Sequence, residues 1–586
     1  ELDNDTANIT VYSPIQLGDV TIKLAYDGNT VFEEKANISP TDIFTKSIPI
    51  PNIDETKLTL AVYKDGNELL SYTPMGENDE ETPNPAEALP EPQFVETTEK
   101  LFLAATHLEQ YRHATYSPED YYLEGLRRDE TDIRLNNGYG KYLYNKGRFA
   151  ESEKYFRQAI KSTWKNPNPY DCEPYYNLGL SLKKQGKINT AFDAFYKAVW
   201  DGNMQDKAFY QLACIASGRG DYNDALEYIE KSLVKGMHKA RTLKSALLRK
   251  LGKNTEATEF AKETRNIDAL DHSAYYELYK ITGNGLDEMQ AVMRGDNHNY
   301  IELALSYMSA YLTDDAIEIL KLAPNDNEPM VHYYLYALTN DKSELDKAEI
   351  SDSLYCFPNR LEDIAVLEKA IYNGGNYAAY YLGCLFYDKG RWEESKELWE
   401  KCADNIKLPT VYRNLSLVYY NKLKDGVLAL KAMEKAFCID KSDARIFFEL
   451  DQLYKTLNFS LEKRLANMNE NSDLLEKRDD LYTEYITLLN MNGEYDNAYN
   501  RIMNHNFHPW EGGEGKIPAQ YRIALINKAK AEKNTEKAIE YLEKALVYPY
   551  NLGEGKLIGN MDNDIYYMLG NLYEDKEKSE QAYRLA

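Results

Sequence analysis

The chain has 586 residues, enough for several ordinary domains or for one long repeat array. Its 69 Lys and Arg stand against 95 Asp and Glu, and the net charge of −26 opposes binding to phosphate backbones and anionic lipid, so neither nucleic acid nor membrane is an expected partner. With 43% apolar residues, 28% charged residues and 50 Tyr, the composition excludes a disordered or fibrous chain.

No apolar run approaches the roughly 18 residues of a spanning helix, in keeping with a mean hydropathy of −0.62. The chain starts at Glu1 without a Met and stops within a helical pattern at Ala582 to Ala586. Both ends therefore read as boundaries within a longer polypeptide, and the cytoplasm is the expected compartment. Cys172, Cys214, Cys356, Cys384, Cys402 and Cys438 are far apart, form no C-x-x-C pair and fall mostly among helical apolar positions, as small core residues kept reduced.

From Glu1 to about residue 73 the pattern is short and alternating, with strands expected at Ile9–Ser13, Val20–Tyr26, Thr30–Glu34, Phe44–Ile48, Lys57–Lys64 and Glu68–Tyr72. Asp27-Gly28 and Asp65-Gly66 supply the positive-φ residues of tight hairpins. Six such strands predict a small immunoglobulin-like β-sandwich. It has no His or Cys and its acids are scattered, so it offers no catalytic constellation. Residues 74–94 hold Pro74, Pro83, Pro85, Pro90 and Pro92 with six acids and no base, the composition of an extended acidic linker. From residue 95 to 586 the apolar spacing changes to i, i+3, i+4, i+7, and the rest is expected to be helical.

Within that region Leu178, Gly179, Leu182, Gly186, Ala191, Phe195 and Ala198 fall at positions 7, 8, 11, 15, 20, 24 and 27 of a repeat, and Ala213 recurs 34 residues beyond Gly179. The same frame fits Gly140, Gly147, Phe156 and Ala159 upstream and Gly220, Ala225 and Ile229 downstream. This resembles the tetratricopeptide repeat. Small residues at 8 and 20 let the two helices of a hairpin approach, and the large residues at 7, 11 and 24 fill the groove between them. Further copies at Gly252, Ala304, Gly383, Gly493, Ala538 and Gly570, with degenerate stretches between, predict a mainly α chain: a superhelix of about ten to twelve hairpins behind the β-sandwich.

Three groups of residues are candidates for binding, and each has a bland alternative. Asn137, Lys141, Asn177 and Lys207, with Gln211, occupy inward positions of three successive first helices, which suits either a carboxylate clamp, with the Lys/Asn order inverted in the first repeat, or an ordinary solvated face. His107, Glu109, Arg112 and His113 precede a Ser-Pro helix start. The two histidines are six apart and no further ligand completes a metal set, so no metal or other cofactor is expected and a hydrogen-bonded junction is the alternative. The loop holding His508, Trp510, Glu511 and Glu514 is the one stretch that a helical hairpin does not need. It is either a structural loop or a sugar-stacking platform whose carboxylates accept hydroxyl hydrogen bonds; glycoside hydrolysis would need two carboxylates about 5 to 10 Å apart.

The run His107 to Arg112, the segment Asn166 to Gly179 and the loop His508 to Gly515 together resemble bacterial proteins that pair domain of unknown function 5107 with tetratricopeptide repeats. The resemblance implies an upstream β-rich domain similar to galactose-mutarotase folds, which would hold any catalytic residues, and a link to carbohydrate metabolism. No residue of this chain inherits a catalytic role from it. The expected function is a non-catalytic interaction scaffold that binds a protein segment or an adjoining domain. The alternative is the carbohydrate-binding, active-site-completing part of a carbohydrate-active enzyme.

Overall fold

In the computed structural model the described residues are 2–3, 5–50, 54–76, 84–111, 115–163, 171–324, 327–559 and 561–586. They form two compact units, Glu1–Gly375 and Asn376–Ala586.

The first unit opens with strands β1 (Leu2–Asp3), β2 (Thr6–Val11), β3 (Leu17–Tyr26), β4 (Asn29–Ile38), β5 (Phe44–Pro49), β6 (Leu58–Lys64) and β7 (Asn67–Tyr72). They pair antiparallel in two sheets, β1-β2-β5 and β4-β3-β6-β7. Ile9, Val11, Val20, Ile22, Leu24, Ile38, Leu58 and Val62 alternate inward to make the core, as a half-buried sheet requires. Asp27 and Gly28 close β3 onto β4 with φ of 47° and 79°, the all-positive turn that follows the strand twist. The expected sandwich is therefore present, with the short β1 added at its edge.

The end of the expected linker is not free chain. The Arg128 guanidinium donates to the carbonyls of Val95 (2.6 Å), Pro92 (3.1 Å) and Gln93 (3.1 Å), and the Tyr121 hydroxyl donates to the carbonyl of Pro90 (2.9 Å). Pro-rich backbone with few donors of its own is held by its acceptors.

Behind it the helices pair in chain order. Among the described residues the first unit has eight pairs, from Thr98–Tyr111 with Pro118–Arg128 to Pro329–Thr339 with Lys342–Ile350, followed by Leu361–Tyr372. The second unit has six, from Asn376–Asp388 with Trp392–Ile406 to Asn563–Leu572 with Lys576–Leu585. This exceeds ten to twelve because the degenerate stretches are also made of regular pairs. Their turns explain why the sequence frame fades there. Where Gly186 (φ 73°) makes the turn in a recognisable repeat, Asn340, Lys424 and Asn458 adopt φ of 57° to 60° in the degenerate ones, as Tyr311 (φ 59°) does in the copy at Ala304. Left-handed backbone costs a side-chain-bearing residue on the order of 1 kcal/mol. Lys424→Gly is therefore expected to stabilise the second unit by about 0.5–1 kcal/mol, read from its denaturation midpoint.

The frame's close contact is explicit. A Cβ on Gly140 would lie 2.6 Å from the Phe156 ring, on Gly179 2.5 Å from Phe195, and on Gly383 2.4 Å from Trp399. Four of the six cysteines are buried, Cys214 and Cys402 within helices, Cys172 at a helix start and Cys356 between helices, while the helical Cys384 is half-buried and the helical Cys438 is exposed; all are unbridged thiols. Among the described residues no helix is long and apolar enough to cross a membrane.

The first unit also buries a charge cluster. Arg249 bonds Glu277, which is 0% exposed, at 2.6 and 3.0 Å and Asp315 at 2.8 Å. Lys250 joins Asp315 at 2.9 Å, the Tyr307 hydroxyl donates to Glu277 at 2.7 Å and the Tyr276 hydroxyl to Asp315 at 3.2 Å. Burial opposes the charged form of Asp315, but Arg249 and Lys250 hold its carboxyl below the usual range.

Candidate functional site

In the second unit, Ala444–Thr456, Asp479–Met491 and Lys516–Ala531 are the first helices of three successive pairs. Their sequences place mostly polar residues on one face at i, i+3 and i+4 spacings: Gln452 and Lys455 beside the apolar Phe448 on the first, Asp480, Thr483, Glu484 and Thr487 on the second, Lys516 and Gln520 beside the small Ala519 on the third. These residues line one cavity of about 730 Å³, completed by Arg522, Leu557 and the loop carrying Trp510, Glu511 and Glu514. The buried apolar positions of the same helices, among them Phe447, Leu450, Ile486, Leu489 and Leu525, pack into the unit's core and so fix which face is left over.

Most charges in the lining are already paired. Lys455 bonds Glu484 at 2.8 Å, Arg464 bonds the same carboxylate at 2.8 Å, and Arg478 holds Asp480 at 2.6 Å. Arg522 turns to Asp562 (3.1 Å) and Asp564 (3.3 Å). Among the described residues two buried donors, Nε2 of Gln452 and Nε of Arg522, have no acceptor. A buried donor left unmade costs on the order of 1–3 kcal/mol.

The loop that borders the cavity is built in. His508-Pro509 and three nearby glycines, Gly512, Gly513 and Gly515, preclude helix, and specific bonds replace the helical ones. Asp479 accepts from His505 Nε2 at 2.7 Å and from the His508 backbone N–H at 2.8 Å. The Phe507 N–H donates to the Asn551 carbonyl at 2.9 Å, while the Asn551 side chain donates back to the carbonyls of Ile502 and His505. The Trp510 ring lies over Gly513, where a Cβ would be 2.1 to 2.5 Å from its central atoms. Glu514 accepts from the Gly512 N–H at 3.2 Å, and both oxygens of Glu554 accept from the Gly515 N–H. Trp510, Glu511 and Glu514 thus reach one cavity, whereas His508, its ring 88% exposed, lies on Asp479 and does not line it.

Partial burial raises the Asp479 carboxyl, but the bonds from His505 and His508 outweigh it and hold the group below its ordinary value. A lowered folded-state pKa contributes stability that is present above the unfolded value and is lost as pH falls through the folded one. Asp479→Asn is therefore expected to loosen the loop at neutral pH and to remove its own share of acid sensitivity below about pH 4. Hydrogen exchange of residues 504–515 across that range checks this.

The first-unit candidates divide differently. Glu109, Asn137 and Lys141 line a smaller cavity of about 260 Å³ with Tyr122, Arg134, Asp171 and Glu173. Burial raises the Glu109 carboxyl, in spite of a 2.5 Å bond from the Tyr122 hydroxyl. Asn137, Lys141 and Asn177, weighed for a carboxylate clamp, have partners within the chain. Asn177 Nδ2 donates to Asn137 Oδ1 at 2.9 Å, Lys141 is paired with Glu173 at 3.0 Å, and Glu109, Asp171 and Glu173 would repel an entering anion. Lys207 is exposed and lines neither cavity, and Gln211 accepts from Lys183, whose ammonium also donates to the Ser309 carbonyl at 3.1 Å. The chain itself occupies this face: Ser309 and Tyr311 lie against Tyr210 and Gly218, and Lys184 reaches Glu362 at 2.6 Å. His107 is exposed and stacks on Tyr111 at 4.6 Å, outside the cavity. Arg112, His113 and the Asn166–Tyr170 loop lie outside the described residues.

Gln452, Thr483, Thr487, Gln520 and Arg522 were not singled out from the sequence. Their one-turn spacing is legible only once Ala444–Thr456 is known to begin a repeat, and the Asn458 turn conceals that.

Residues 1–72 match the family described as YphG-like protein, second domain. Residues 133–163 and 206–233 match the tetratricopeptide repeat family. Among solved structures, the chain is 14% identical to one in the structure of Naa15/Naa10 bound to HypK-THB, covering 83% of this chain and 77% of that one, with a TM-score of 0.25. It is 15% identical to YrrB, described as a TPR protein with an unusual peptide-binding site, covering 38% of this chain and 94% of that one, with a TM-score of 0.24. The chain therefore carries tetratricopeptide repeats behind a YphG-like domain.

Proposed function

We propose that the chain is a protein-interaction scaffold whose second unit binds an extended peptide segment, from a partner protein or an adjoining domain. The observation that carries this reading is the cavity shared by the first helices of three successive repeats. Its roughly 730 Å³ falls among ligand-sized clefts. Gln452 and Gln520 offer amide groups from the two outer helices, and between them the Thr483 and Thr487 hydroxyls, one turn apart, donate to the carbonyls of Asp479 and Thr483 and keep acceptor capacity for the N–H groups of an extended backbone. Phe448, Trp510 and Leu557 supply apolar surface for its side chains. The self-covered inner face of the first unit favours the second as the place of binding. Kinship with proteins that pair domain of unknown function 5107 with tetratricopeptide repeats is proposed as well, on the segments His107 to Arg112, Asn166 to Gly179 and His508 to Gly515.

The test is a random-peptide library panned on the intact chain, with affinities then read by fluorescence anisotropy. Ala519→Trp fills the cavity from an exposed position and is expected to weaken captured peptides by about tenfold or more with no change in melting midpoint. Undiminished binding to that variant would overturn the reading. So would an empty panning beside a glycan array that responds and falls silent with Trp510→Ala, which would favour the carbohydrate alternative.

A further inference from the structure

We infer that the segment bound in the second unit carries a lysine or arginine whose cationic head docks between Trp510 and the carboxylates of Glu511 and Glu514. This rests on the peptide reading above and names the chemistry of the partner. The charge inventory of the cavity leads to it. Glu484 is neutralised by Lys455 and Arg464, Asp480 by Arg478, and the Arg522 charge by Asp562 and Asp564. Glu511 and Glu514 make no ion pair among the described residues, and they stand together on the loop against one exposed base, Lys516. The uncompensated charge on this side of the cavity is negative.

The aromatic ring beside them points the same way. Elsewhere the chain covers its partly exposed indoles with its own cations: Lys197 lies 3.2 Å from the Trp200 ring centre and Lys422 3.9 Å from that of Trp392. Trp510 has no such cation among the described residues. Its ring lies on Gly513 and packs in part against the apolar core, and what is left lines the same cavity as Glu511 and Glu514, an arrangement that attracts a cation through both the ring quadrupole and direct charge. Main-chain groups of the same segment then meet the Gln452 and Gln520 side chains that line the cavity, so the backbone is held at the helices and the basic side chain at the loop. An acidic segment would meet Glu511 and Glu514 unscreened.

The peptides captured by panning decide this. Lys or Arg should be enriched at one position, and replacing that residue by Gln should weaken binding about three- to tenfold. The double variant Glu511→Gln/Glu514→Gln should lose the same factor for the basic peptide, lose nothing for its Gln counterpart, and keep the wild-type melting midpoint. Enrichment of Asp or Glu, or equal losses for both peptides in the double variant, would overturn the basic-partner inference while leaving peptide binding intact. A library that yields no binder at all would overturn the peptide reading itself.

Discussion

Replacing Arg249 by Met is expected to destabilise the first unit by about 3–5 kcal/mol, because it leaves buried carboxylates without their guanidinium. Among the described residues Glu277, which is 0% exposed, then keeps the Tyr307 hydroxyl alone, while Asp315 keeps Lys250 and Tyr276. The methionine fills much the same space, so the loss is electrostatic rather than a cavity. Two further measurements separate that cause from simple misfolding. Arg249→Met/Glu277→Leu removes both members of the pair and should recover most of the stability, since a buried pair exchanged for apolar side chains is often neutral. Acid should help the single variant. An orphaned buried carboxylate has its folded-state pKa raised, and such a group favours the folded state below its unfolded value and penalises it as pH rises. The deficit should therefore shrink between pH 7 and about pH 4.5. A single variant as stable as the wild type at pH 7 would show that the cluster is open to water.

The parts legible in the sequence are those fixed by local chemistry. Asp27-Gly28 and Asp65-Gly66 announced two-residue hairpins because few other residues adopt positive φ twice in succession. The frame around Gly179 was readable because a glycine facing an aromatic sixteen residues later satisfies a steric demand that the sequence states directly. The cavity was half legible. Trp510, Glu511 and Glu514 stood out because a Gly-rich aromatic loop has no place in a helical pair, but the helix faces opposite them did not. Lys424 and Asn458 stand where glycine marks the turns of repeats such as that at Gly186, so Phe448 and Gln452 belonged to no visible repeat. The choice between a clamp and a solvated face at Asn137, Lys141 and Asn177 was illegible for a different reason. Spacing can place residues on a face, but it does not show that Glu173 and Asn137 will answer them, nor that a segment more than a hundred residues onward will cover Lys183.

Gly179→Leu is expected to cost about 3 kcal/mol or more, at the upper end of overpacking effects, and to act locally. Even the Cβ of an alanine would lie 2.5 to 2.8 Å from three atoms of the Phe195 ring, and that ring is 0% exposed with no room to retreat. The strain must part helices Glu173–Lys184 and Ile188–Ala198, and because each repeat is held only by its neighbours, protection should fall first within that pair and then in the pairs on either side. Hydrogen exchange resolved along the chain reads this more directly than a global midpoint. Gly202→Ala serves as the control, since a Cβ there meets nothing within 4 Å, and its effect should stay within about 0.5 kcal/mol. Steric origin is tested by coupling: Gly179→Ala combined with Phe195→Leu should cost less than the two single changes added together, because the smaller side chain vacates the space that the methyl enters. Additive costs, or protection of residues 173–198 unchanged in Gly179→Leu, would mean that the glycine does not set the distance between the helices.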